Sequence, residues 1–161
     1  NLGGDRNCAL VVQKASGRFV WILCDDDIID PCAIDYAFKE LSENKEIGFC
    51  FINYFHGIKK NHTAIPQNEN SIKTCSFEDF TNEVMFKYSM VTSCVFRKSL
   101  LTKKDFQEHA GESYFHLYWV ANILLSNPSL IILSFLQSDK AIFLYNTWLH
   151  SGFRMKFGTH I

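Results

Sequence analysis

Three consecutive carboxylates, Asp25, Asp26 and Asp27, follow the apolar run Phe19, Val20, Trp21, Ile22 and Leu23 and stand just ahead of Pro31. Adjacent anions repel one another, so such a run is costly unless a cation or hydrogen-bond donors neutralise it. Oxygen-only donors suit Mg2+ or Mn2+, and Mg2+ is commonly held by one or two carboxylates together with substrate phosphates. Metal–diphosphate binding is therefore the chemistry this run suits. A solvated acidic turn leading into the next helix is the equally open alternative.

The flanking segments decide where those carboxylates stand. The spacing of Cys8, Val11, Val12 and Ala15 predicts a helix over 5–16, capped by Asp5 and closed by a left-handed Gly17. Residues 19–23 read as a strand buried on both faces. Asp30 and Pro31 then supply an N-cap and a first helical residue. Ile34, Ala37, Phe38 and Leu41 follow at the spacing of a buried helical face, and 47–55 reads as a second strand. Helix, strand, helix, strand is the rhythm of a parallel α/β sheet. In such sheets, ligands bind beyond the carboxyl ends of the strands, where the three aspartates fall.

Further along, 55–75 turns polar and reads as a loop excursion. Ser76 and Asp79 form a capping-box pattern ahead of a helix whose inner face carries Phe77, Phe80, Val84 and Tyr88. Residues 90–96 are strand-like, a short helix begins near Arg97, and 116–125 is a strongly apolar helix. Residues 130–136 and 141–145 read as strands, and 149–161 as a tail. The apolar stretch 117–136 is broken by Asn122 and stopped by Pro128, so it predicts a helix followed by a strand rather than a membrane span.

The length of 161 residues fits one domain, and a net charge of −1 offers no basic stripe for nucleic acid. None of the six cysteines forms a C-x-x-C pair, which points to reduced thiols in a cytoplasmic protein rather than to zinc or disulfides.

The order of motifs over 1–31 resembles family 2 glycosyltransferases of the GT-A fold. That family shows, in sequence, an N-x-G-like start, an Asn on the following helix, an Ala-x-Gly helix end, a hydrophobic strand, and an acidic motif with Pro four residues on. Asn1 and Gly3, Asn7, Ala15 and Gly17, residues 19–23, Asp25 to Asp27, and Pro31 hold those places here. The resemblance implies a single, partial GT-A-like domain over 1–161. It would be a Rossmann-related, mostly parallel sheet flanked by helices, lacking the first nucleotide-binding strands. It further implies a nucleotide-diphosphate sugar donor, Mn2+ or Mg2+, and a glycan or lipid-linked acceptor, with inverting transfer. Peripheral contact with the inner face of a membrane, and oligomerisation to complete the sheet, stay open.

By the same resemblance Asp25, Asp26 and Asp27 would hold the metal, with Asp25 and Asn7 toward the donor. Glu112 would take the acceptor proton, and His116, one helical turn on, would share or replace that role. Simpler readings stand beside these: Glu112 as a carboxylate favoured near a helix N-terminus, and His116 as a satisfied core histidine. Two alternatives to the enzyme remain as well, a non-catalytic remnant of the same fold and a metal-dependent phosphohydrolase or phosphotransferase.

Overall fold

A computed structural model describes residues 3–25, 27, 29, 31–54, 71–74, 76–84, 87–109, 111–112 and 114–133. Among the described residues, five α-helices, α1 (Gly4–Lys14), α2 (Pro31–Glu43), α3 (Phe77–Val84), α4 (Lys103–Glu108) and α5 (Phe115–Ser126), flank a five-stranded open sheet. Its strands are β1 (Phe19–Trp21), β2 (Phe49–Ile52), β3 (Ser71–Thr74), β4 (Cys94–Arg97) and β5 (Ser129–Leu133), in the spatial order β1-β4-β2-β5-β3.

The sheet is mixed rather than mostly parallel. Among the described strands only β2 and β5 pair in parallel, whereas β4 runs antiparallel to both of its neighbours and β3 antiparallel to β5. The reason lies in the route of the chain. The segment 87–93 crosses the edge at which β1 and β2 end, so β4 enters between them from that edge and must run the opposite way. β1, β2 and β5 still share one direction, and their carboxyl ends line one edge together with the start of β4. β3 occupies part of the segment expected as a loop. Residues 55–70, 141–145 and 149–161 lie outside the described residues.

Local chemistry explains where the helices begin and end. α2 opens at Pro31, whose missing N–H is no loss in a first turn. Before α3, Ser76 and Asp79 exchange capping hydrogen bonds: the Asp79 N–H donates to Ser76 Oγ at 3.0 Å, and Ser76 Oγ donates to the Asp79 carboxylate at 2.8 Å. α1 departs from expectation at both ends. Its N-cap is Gly3 at φ 76°, with Asp5 inside the first turn, where the helix dipole favours an anion. At the other end Gly17 does not adopt the left-handed conformation. The Lys98 ammonium donates instead to the carbonyls of Gln13 and Ala15, which removes the need for a left-handed cap.

β2 is the centre of the core, with all four of its residues buried. Phe49 and Phe51 share a face, and Phe80 of α3 meets both rings edge-on at 5.4 and 6.2 Å. Phe96, opposite Phe49 in register, meets Trp119 of α5 at 5.7 Å, and Phe106 and Phe115 close around the same indole. Such edge-to-face contacts add specificity to the burial of large rings.

α4 is joined to α5 through Asp105, a buried carboxylate. It accepts from the Thr102 N–H at 2.6 Å, the Thr102 hydroxyl at 2.7 Å and the Asn122 amide at 2.5 Å, while its own carbonyl accepts from the Trp119 indole. Burial pushes the Asp105 carboxyl up, but the hydrogen bonds from Thr102 and Asn122 outweigh it and leave it below the usual range. A depressed pKa contributes stability above the unfolded value, and that stability is lost as pH falls through the folded one. Asp105→Asn is expected to lower unfolding free energy at pH 7 by about 1–3 kcal/mol. The gap to the parent should shrink in urea titrations at pH 3; a gap of constant size would refute the assignment.

Candidate functional site

β1 ends at Trp21, and the chain then bends through Cys24 into the acidic turn. Asp25 is exposed at this turn, Asp27 is half-buried, and Asp26 lies outside the described residues. The turn closes on itself, the Asp27 N–H donating to the Cys24 carbonyl at 3.3 Å. Across the sheet edge stands Thr92, fully buried in a short 3-10 turn that precedes β4. Its hydroxyl donates to the Asp27 carboxylate at 2.5 Å and accepts from the Cys24 N–H at 3.2 Å. The Thr92 carbonyl accepts from the Trp21 indole at 2.8 Å.

The end of β2 contributes Tyr54. Burial pushes its phenol up to about 12, with smaller effects from Cys94 and Asp27, so the hydroxyl stays a donor at neutral pH. It donates to the Lys87 carbonyl at 3.1 Å. The segment 87–93 is thus tied to β1, to β2 and, through His116, to α5. The buried His116 ring brings Nε2 within 3.2 Å of the Tyr88 carbonyl and 2.9 Å of the Ser89 carbonyl. Carbonyls only accept, so Nε2 carries the proton and bridges the pair. Burial lowers the His116 pKa to about 4, against the two carbonyls, which favour the charged form. The ring is neutral at pH 7.

Glu112 is exposed on the turn that leads into α5 and lies 3.2 Å from His109 Nδ1, whose ring stacks on Tyr118 at 3.6 Å. Gly111 in the same turn has φ 105°, and a Cβ there would stand 3.2 Å from Arg6 Nε of α1. Tyr114, at φ 63°, is the one non-glycine residue among those described to hold a left-handed backbone, which costs free energy in any L-residue. Asn7 is exposed on α1, near the helix start. Cys8, next to it on α1, is buried, and that burial pushes its thiol up to about 12.

Asp25 and Asp27 therefore stand on one turn, and segment 87–93 joins that turn to His116. Glu112 and Asn7 stand on separate elements meeting through Arg6. Among the described residues, no three His, Cys, Asp or Glu side chains form a metal-binding group. Two hard carboxylates still suit Mg2+ or Mn2+, which complete their shell with water and phosphate oxygens. The sequence reading did not single out Thr92, Trp21 or Tyr54. The available signal was the hydroxyl pair Thr92 and Ser93 inside the apolar run from Met90 to Phe96.

Cys8, Cys50 and Cys94 are buried thiols outside any disulfide. Among the described residues no helix is long and apolar enough to cross a membrane. No protein-family model matches the chain, and no curated protein matches it.

Proposed function

We propose that this chain is a metal-dependent glycosyltransferase that moves a sugar from a nucleotide-diphosphate donor to a glycan or lipid-linked acceptor, with inversion. The observation that carries the reading is the acidic turn at the carboxyl end of β1, with Asp27 pinned to the neighbouring strand entry. It supports the reading because a diphosphate site needs carboxylates held in place at that sheet edge. The motif order over 1–31 supports it from the sequence.

In this reading Asp25 and Asp27 hold Mg2+ or Mn2+, and Asp26 stands between them in the chain. The bound ion supplies stabilisation of the charge that grows on the departing diphosphate. Asn7 offers an amide to the donor. Glu112 accepts the proton of the acceptor hydroxyl as that oxygen bonds to the anomeric carbon and the bond from that carbon to phosphate breaks. His116 enters only as the brace that sets the start of α5, and hence the Glu112 turn, against segment 87–93.

Isothermal titration of UDP and GDP, with and without Mn2+, tests the reading. Metal-dependent binding is expected, weakened about 100-fold in Asp27→Ala, about 2.7 kcal/mol. A folded chain that binds neither nucleotide in the presence of Mn2+, or an Asp27→Ala variant that binds as the parent does, would refute it.

A further inference from the structure

We infer that Thr92 is a positioning residue, holding the Asp27 carboxylate in the orientation that grips the divalent cation. The inference rests on the glycosyltransferase reading of the acidic turn and deepens it. A threonine hydroxyl has one proton, and this one goes to the Asp27 carboxylate at 2.5 Å. The Cys24 N–H, at 3.2 Å, engages a lone pair of the same oxygen and so fixes the rotor. Cys24 and Asp27 are the two ends of one closed turn, joined by the 3.3 Å bond from the Asp27 N–H to the Cys24 carbonyl. A single hydroxyl therefore pins the turn at both ends.

Thr92 is itself immobilised. It is fully buried, and its carbonyl receives the Trp21 indole at 2.8 Å. The hydroxyl is thus delivered from a buried turn to a half-buried carboxylate. A carboxylate oriented before its ligand arrives loses less freedom on binding. Hydrogen-bond partners behind metal ligands typically govern affinity by about 10–100-fold.

The test compares the parent with Thr92→Val, which keeps the shape and deletes the hydroxyl, and Thr92→Ser, which keeps the hydroxyl. Mn2+ with UDP or GDP is followed by titration calorimetry and by the Mn2+ electron paramagnetic resonance spectrum, and amide exchange reports folding. Thr92→Val is expected to bind about 10–100-fold more weakly with an altered Mn2+ spectrum, and Thr92→Ser to restore both. Should the valine variant not fold, Thr92→Cys, of similar size and weak as a donor, takes its place. A folded hydroxyl-less variant that binds and looks like the parent overturns the positioning role and leaves the glycosyltransferase reading intact. A folded parent without Mn2+-dependent binding overturns that reading and the positioning role with it.

Discussion

Lowering the pH from 7 to 4 is expected to remove about 3 kcal/mol of folding stability through His116 alone. Its pKa falls from 6.5 to about 4 on folding, and each pH unit between the two values is worth about 1.4 kcal/mol. The cause is burial first: the buried ring sits at the start of α5, 5.7 Å from the Phe115 ring, where a charged imidazolium is poorly solvated. The Ser89 and Tyr88 carbonyls favour the charged form but do not compensate. The sign follows directly. Between pH 6.5 and about 4 the unfolded chain binds the proton and the folded chain does not, so stability rises with pH through that window. Above 6.5 the contribution is complete, and below about 4 it is spent.

Denaturant titrations of the parent and His116→Gln across this range isolate the effect. Glutamine retains an amide donor for the carbonyls but does not titrate. The stability difference, parent minus variant, should shrink by about 3 kcal/mol between pH 7 and pH 4. Carboxylates titrating in both proteins cancel in that difference. A difference that stays flat with pH would mean that His116 is not held neutral by the fold.

That histidine also shows what a sequence can and cannot carry. α5 is apolar on nearly every side, so a histidine on it had little route to water, and a satisfied core role was legible beforehand. Pro31, the Ser76–Asp79 pair and Pro128 likewise act within a few residues, and the helix boundaries they set fall where the sequence places them. The threonine and aspartate of the α4 capping box were equally local, but Lys103 and Lys104 between them hid the pattern in a charged stretch. The sheet was different. That β4 enters antiparallel between β1 and β2 depends on pairings across dozens of residues, to which hydrophobic periodicity is blind. The partner of Asp27 is hidden for the same reason, since Thr92 lies 65 positions away along the chain. The carboxylates are visible in the sequence; the hydroxyl that Asp27 meets is visible only in the fold.

Under the proposed glycosyltransferase function, Glu112→Gln is expected to slow sugar transfer about 100- to 10,000-fold while leaving metal-dependent nucleotide binding unchanged. Glu112 is exposed on the turn before α5, away from the sheet core, so it can meet an acceptor hydroxyl that arrives from solvent. The turn is not slack: Gly111 and Tyr114 hold left-handed backbones, Arg6 packs against Gly111, and His116 anchors the helix start by two carbonyls. A carboxylate so carried can accept a proton as the new glycosidic bond forms, whereas an amide of the same shape cannot. His109→Ala, which removes only the 3.2 Å contact to that carboxylate, should affect transfer far less than Glu112→Gln. Nucleotide release from a panel of sugar donors, with acceptor present, gives the rate, and calorimetry gives the binding. Equal losses of binding and rate in Glu112→Gln would place the residue in the donor site, and an unchanged rate would remove it from the reaction. Loss of rate alone is the signature of the proton acceptor.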